Sequence, residues 1–274
     1  MTVRDQTWAT AAMLCLADTI ETAQGDCSSN DIFSHKKNGV YSYGNRLICD
    51  WKEEDGKNLA WFRWGNSQIY RKFFTDYQNF LRRPVIVGRE IAQSYVRSEL
   101  IYIVNLDLSK FYDNIDRDLL IKKIKKICKR FTNHSGHKKF WTSFRKITDW
   151  KWTKDDLSRA EGLGIPIKGK LGIPQGLVSA GFFANAYMLD FDCAVGKHIN
   201  NKVPNTTGII LHDYCRYVDD LRLVVSIEEP PKYTDIAASV TNWLNEMLSS
   251  HACENLLFNP DKTSVISLKD LAGC

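Results

Sequence analysis

The stretch RYVDDLRLVV, residues 216–225, sets Asp219 and Asp220 side by side between two runs of strand-forming residues. Adjacent carboxylates repel, so this is where the sequence most narrows what the chain can fold into. TGIILHDYCRYV before the pair and LRLVVSI after it read as strands, which makes Asp219–Asp220 the tip of a β-hairpin. Two readings follow. Asp favours tight turns, and the pair is then only a turn. Alternatively the tip holds a metal ion, whose charge relieves the repulsion.

The flanking elements bear on the choice. LIYIVNLDL, residues 100–108, reads as a buried strand that ends on Asp107. After SKFYDNI a helix starts near Asp116, which reads as its N-cap, with Asp113 structural. In that helix residues 120, 124, 127 and 131 share an apolar face, and Lys122, Lys125, Lys126 and Lys129 form a solvated one. A further helix is predicted over 137–148, then a loop-rich stretch, 149–171, with Gly162, Gly164, Pro166 and Gly169. Gly172, Pro174 and Gly176 make a rigid, permissive loop. The helix after it is apolar all round and so predicted to be buried, and Ser179, Ala180, Gly181 and Ala184 let another backbone or a ligand come close. An amphipathic helix over 232–250 is followed by NLLFNPDKTSVISL, read as a strand, a turn carrying Lys262, and another strand. In the N-terminal third, helices are predicted over 6–24, 68–82 and 88–99, with a break at Pro84. Ile69, Phe73, Tyr77 and Phe80 share one face of the second. Residues 25–66 read as irregular, with room for short strands. Beyond that third, the order strand, helix, helix, strand, strand, helix, strand predicts an α+β fold with helices packed on one face of the sheet.

Composition excludes several classes. At 274 residues the chain is longer than one typical domain, and 44% hydrophobic content with eight Trp suffices for a core. No window reaches the roughly 20 unbroken apolar residues of a membrane helix. The N-terminal segment reads as an amphipathic helix rather than a signal peptide, so a cytoplasmic protein without a membrane partner is expected. Eight cysteines without C-x-x-C spacing point to free thiols rather than zinc or disulfides. A net charge of +5 permits a nucleic-acid partner without demonstrating one.

If the Asp107 strand neighbours the hairpin, three hard oxygen ligands converge at one sheet edge with no His or Cys among them. That donor set suits Mg²⁺, or Mn²⁺, rather than zinc. Two such ions about 3.5–4 Å apart activate a 3′-hydroxyl and steady a leaving pyrophosphate.

VNLDLSKFYDNID, GIPQGLVSAGFFANAYMLDF, RYVDDLRL and LLFNPDKTSVI stand in that order. Together they resemble motifs A, B, C and D of the reverse transcriptase palm, over about residues 100–267. Their phrasing is similar to prokaryotic reverse transcriptases, a group that includes group II intron and retron enzymes, and most similar to the abortive-infection, antiphage-defence branch. The resemblance implies a right-hand polymerase: N-terminal helices and a fingers-like region over 1–99, a palm over 100–274, and a fingers-derived insertion at about 130–172. It implies RNA-templated addition of dNTPs to a 3′-hydroxyl, with RNA template and DNA product as partners. Untemplated or protein-primed DNA synthesis by the same site, or a non-catalytic nucleic-acid-binding scaffold, are the competing expectations.

Residue by residue, the resemblance makes Asp107 and Asp219 the principal metal ligands, with Asp220 a weaker one and the Leu108 carbonyl a further oxygen. Tyr112, beside Phe111, takes the position of the gate that rejects a 2′-hydroxyl. Gln175 and Gly176 touch the incoming nucleotide and template. Lys262 assists pyrophosphate departure. Arg46, Arg71 and Arg89 are candidates for holding the triphosphate. No thumb fits the 12 residues after Lys262, so a further C-terminal region or another subunit is expected to supply one, or the protein holds nucleic acid differently.

Overall fold

In the computed structural model the described residues are 2–94, 97–131, 138–165, 172–228 and 235–271. The expected glycine and proline at 169 and 166, and the side chain at 131, lie outside them.

The hairpin strands organise the molecule. β5 and β6 are Ile209–Tyr217 and Asp220–Ile227, antiparallel with Tyr217 opposite Asp220. In chain order the elements before them are α1 (Val3–Gln24), α2 (Ile32–Lys37), β1 (Cys49–Glu54), β2 (Lys57–Phe62), α3 (Phe73–Ser94), β3 (Ile101–Asp107), α4 (Phe111–Asn114), α5 (Arg117–Phe131), α6 (Lys138–Thr148), α7 (Lys154–Gly162), α8 (Ala180–Gly196) and β4 (Asn201–Lys202). After them come α9 (Ile236–His251), β7 (Ser264–Ser267) and α10 (Leu268–Leu271). The main sheet runs β4-β5-β6-β3-β7, with every neighbouring pair antiparallel, and β1 and β2 form a separate hairpin. The strands expected within residues 25–66 are therefore this hairpin.

Helices cover both faces of the sheet, not one as expected. Val104, Leu106, Leu221, Leu223 and Val225 join the main core with α1, α5, α8 and α9. On the opposite face Ile101 and Val224 pack on Val87 and Ile91 of α3, and Cys215 and Tyr217 pack on Phe80. The reason is in the strands: much of β5 and β6 is apolar without alternation, which suits burial on both sides. A β-bulge between Leu211 and Asp213 shifts the register by one residue. Because strand side chains alternate, that shift exchanges the two faces. Ile209 and Leu211 face the main core before it, and Tyr214 and Arg216 do so after it.

Four features differ from expectation. α3 runs unbroken through Pro84. The carbonyl that proline strands, at Phe80, accepts from the Cys215 thiol at 3.9 Å, and the Leu81 carbonyl accepts from Arg222 at 3.4 Å. The same helix starts at Phe73, and Phe73, placed on its apolar face by sequence, is 64% exposed. The loop-rich stretch contains α7, capped by the Thr153 side chain. NLLF forms only a single bridge, Leu108 to Phe258, rather than a strand. Asp116 caps α5 as predicted, its side chain accepting from Leu119 N at 2.8 Å. The seven described cysteines are free thiols. Among the described residues no helix is long and apolar enough to cross a membrane.

Candidate active site

Three strands deliver the carboxylates to one place. Asp107, the last residue of β3, lies directly opposite Asp220, the first of β6, and Asp220 lies opposite Tyr217 on β5. The turn between β5 and β6 has only Val218 and Asp219 at its tip, and the Asp219 carbonyl accepts from Leu108 N at 3.0 Å. In extended chain a residue's N–H and C=O project to the same side. The Leu108 carbonyl therefore faces the hairpin tip too.

Lys262 completes the row. Asn105 pairs with Ser264, so continuing that antiparallel register sets residue 262 opposite 107. A short 3-10 turn, Pro260–Lys262, carries it there, tied by Asn259 N donating to the Asp107 carbonyl at 2.8 Å. The Lys262 ammonium donates to Asp107 Oδ2 at 3.0 Å and is raised above its ordinary value, first by that hydrogen bond and then by the Asp107 charge. Burial raises Asp219 and Asp220 above the usual carboxylate range, and repulsion from Asp107 adds to both. Asp220 also feels Asp219. The row therefore attracts cations, and Lys262 already supplies one.

The tip needs support, because Val218 holds φ 58°, a left-handed conformation that β-branched residues rarely adopt. Arg216 donates to the Val218 carbonyl at 2.7 Å and forks onto Asp192 of α8, Nε to Oδ1 at 2.9 Å and Nη2 to Oδ2 at 2.7 Å. Asn185 of α8 accepts from Ser42 and from Arg216 and donates to the Gly44 carbonyl at 2.6 Å. Gly44 must be glycine for steric reasons: a Cβ there would lie 2.6 Å from Val218 Cγ2 and 3.0 Å from Val218 N. The close approach expected at the small residues of this helix is likewise present. A Cβ on Gly181 would lie 2.2 Å from the Asn45 side chain. None of Arg216, Asp192, Asn185 and Gly44 was singled out from sequence. The available signal was a pair of aspartates, Asp190 and Asp192, in an otherwise apolar helix.

Tyr112 is half-buried beside the row, and its phenol is raised first by burial and then by the Asp219 charge. Its carbonyl accepts from Ile173 N at 2.9 Å, which stitches it to the Gly172–Gly176 loop. Gln175 and Gly176 are exposed on that loop, and Gly176 takes φ 91°. The loop's other end is held from outside: Gln6 Nε2 donates to the Gly176 carbonyl at 2.8 Å, and Val178 N donates to Gln6 Oε1 at 3.0 Å.

Four expected positions do not join the row. Phe111 is 2% exposed and part of the main core, so its ring cannot meet a nucleotide. Arg46 is fully buried, paired with Glu21 at 2.8 Å and donating to the Ser42 and Gly25 carbonyls. Arg71 is committed to both Asp76 oxygens, at 3.0–3.1 Å. Arg89 is exposed on α3 beside Gly88, which abuts Ile101. That is the far end of β3, about 20 Å from Asp107 at roughly 3.3 Å per residue.

The three carboxylates are the right chemistry for a hard divalent cation. Among the described residues no three or more His, Cys, Asp or Glu side chains are arranged so as to hold a metal ion by themselves. Mg²⁺ usually takes only one or two carboxylates and leaves its other positions to water and phosphate oxygens.

No curated protein matches the chain in sequence. Among solved structures, apo telomerase from Candida tropicalis is similar with a TM-score of 0.42 and 17% identity, covering 68% of this chain and 31% of that one. Telomerase from Candida albicans in complex with a TWJ fragment of telomeric RNA gives a TM-score of 0.40 and 14% identity, covering 69% of this chain and 30% of that one. The chain thus spans about a third of the telomerase chains it matches. Residues 81–270, which hold every member of the Asp107–Asp219–Asp220–Lys262 row, match the reverse transcriptase (RNA-dependent DNA polymerase) family, and the chain belongs to that family.

Proposed function

We propose that the chain is the fingers and palm of an RNA-directed DNA polymerase that adds dNTPs to a 3′-hydroxyl on an RNA template. One observation carries this: Asp107 and Asp220 face each other in register, with Asp219 in the adjoining turn and Lys262 on Asp107. Asp107 and Asp219 would hold Mg²⁺, or Mn²⁺, with Asp220 and the Leu108 carbonyl adding oxygens. When bound, the ions lower the pKa of the attacking 3′-hydroxyl and neutralise the leaving pyrophosphate. Lys262, an ammonium with three rotatable donors, would give a proton or hydrogen bond to the departing phosphate. Tyr112 packs beneath the sugar and disfavours a 2′-hydroxyl. Gln175 and Gly176 border the nucleotide. An antiphage setting is supported by the wording of the motifs, DLSKFYDNID and RYVDDLRL above all.

The test is incorporation by the purified chain with Mg²⁺, offering each dNTP or rNTP with and without a primed RNA template, beside Asp219→Ala/Asp220→Ala. Template-dependent dNTP incorporation lost in the variant is the expected result. Incorporation without template would replace the templated reading with untemplated synthesis. No incorporation, even with a thumb-bearing region or subunit restored, would favour a non-catalytic scaffold.

A further inference from the structure

We infer that Gln6 is a positioning residue for the Gln175–Gly176 loop, and that α1 carries this hold as a strut from the β1–β2 hairpin. The inference rests on the polymerase reading for its effect on nucleotide, but not for the contact itself.

The loop is pinned at two ends by different means. At its start Gly172 N donates to the Ile115 carbonyl and Ile173 N to the Tyr112 carbonyl, both at 2.9 Å, which fixes it to the turn after Asp107. Past Gly176 its own internal bond, Leu177 N to the Pro174 carbonyl, is long at 3.4 Å. Here Gln6 takes over. A primary amide is planar and offers a donor and an acceptor side by side, as a peptide group does. Gln6 uses both, on Gly176 and Val178, in the manner of a neighbouring strand. The Tyr70 hydroxyl donates to the Val178 carbonyl, so both backbone groups of Val178 are engaged. Gln6 and Tyr70 both lie outside the family match at 81–270.

α1 is built to transmit this hold. Its first turn is fixed by the reciprocal Thr2–Asp5 capping box. Ala9, Ala12, Met13, Leu16, Ala17 and Ile20 anchor the middle in the core. About 18 Å further along, at 1.5 Å per residue, the helix grips the fingers-like hairpin: Asp18 accepts from Phe62 N at 2.6 Å and Thr22 from Ala60 N at 2.9 Å. One rigid helix therefore sets the spacing between the β1–β2 hairpin and the loop that borders the nucleotide. Releasing Gln6 would leave the fold intact and let Gln175 wander.

Two measurements on the full chain test this. The first is hydrogen exchange at the Val178 amide in the free protein, for wild type, Gln6→Ala, Gln6→Glu and Tyr70→Phe. Exchange about tenfold faster in Gln6→Ala is expected, while Gln6→Glu, which keeps the acceptor, retains most of the protection. The second is steady-state incorporation. In Gln6→Ala the KM for dNTP rises about tenfold with kcat within about twofold and an unchanged melting temperature, the split expected for lost ground-state positioning. Gln6→Glu also raises KM, because a carboxylate then faces the Gly176 carbonyl. Unchanged Val178 exchange in Gln6→Ala overturns the clamp even if the chain polymerises normally. Faster exchange with unchanged KM overturns the positioning role. A wild-type chain that accepts no nucleotide under any condition overturns the polymerase reading, and the role of Gln6 in nucleotide placement falls with it.

Discussion

Asp192→Asn would separate the geometry of the hairpin tip from its chemistry. Asp192 lies on α8, buried, and accepts from the Tyr214 hydroxyl at 2.7 Å and from the Arg216 guanidinium at 2.7 and 2.9 Å. Asparagine keeps an oxygen for one of these donors and removes the charge, leaving a fully buried Arg216 cation uncompensated. Two unit charges about 4 Å apart at an effective dielectric of about 20 attract by about 4 kcal/mol. Removing one partner of a buried pair costs roughly 3–5 kcal/mol. A loss near 4 kcal/mol is therefore expected, a large share of the roughly 5–15 kcal/mol available to a folded domain. It also frees the arginine that holds the Val218 carbonyl, so the left-handed φ at Val218, worth about 1–3 kcal/mol of strain, loses a restraint. The companion variant is Asp192→Leu/Arg216→Met/Tyr214→Phe, which removes both charges and the stranded hydroxyl. Replacing a buried ion pair by apolar residues is often neutral, so most of the stability should return. Activity should not, because nothing then holds Val218. Urea titration by tryptophan fluorescence gives the stability, and incorporation measured well below each midpoint gives the activity. A loss under about 1 kcal/mol in Asp192→Asn, or full activity in the apolar variant, would refute the reasoning.

Gly44→Ala should cost about 1–3 kcal/mol and most incorporation, since its Cβ meets Val218 backbone at 3.0 Å; Gly162→Ala, where nothing lies within 4 Å, is the silent control. Tyr112→Val should lower discrimination against rNTPs about tenfold or more, read as the ratio of kcat/KM for dNTP and rNTP. Lys123, buried among α5, α8 and α9, donates to the Tyr187 carbonyl at 2.7 Å, and burial lowers it from an ordinary value of 10.5 to about 8. Between those values the unfolded chain holds this proton and the folded chain does not, so stability should rise by roughly 3 kcal/mol from pH 8 to 10.5. Lys123→Met should lack that rise, and parallel pH profiles for the two proteins would contradict it.

What could be read from the sequence divides along a physical line. The convergence of Asp107, Asp219, Asp220 and Lys262 was legible because they sit at strand ends and turns, and because register follows from strands whose apolar runs announce them. Asp116 was legible because a cap is a local contact. Arg46 and Arg89 lie away from the row because charge says nothing of depth or place: Arg46 is buried against a glutamate 25 residues earlier that only the fold brings near, and Arg89 is exposed at the far end of β3. Pro84 was read as a break because the helix's remedy, the Cys215 thiol under the Phe80 carbonyl, lies 135 residues away in sequence.

The bulge at Leu211/Asp213 is the most instructive case. Without it, strand alternation would turn Arg216 away from Asp192 and leave Val218 without its donor. One unpaired residue, invisible in the hydrophobic pattern, thus decides whether the aspartate tip is supported. The carboxylates could be named from the sequence because the proposed chemistry needs aspartates at these positions. Their supports could not, because many buried pairs would serve equally and the fold chose one.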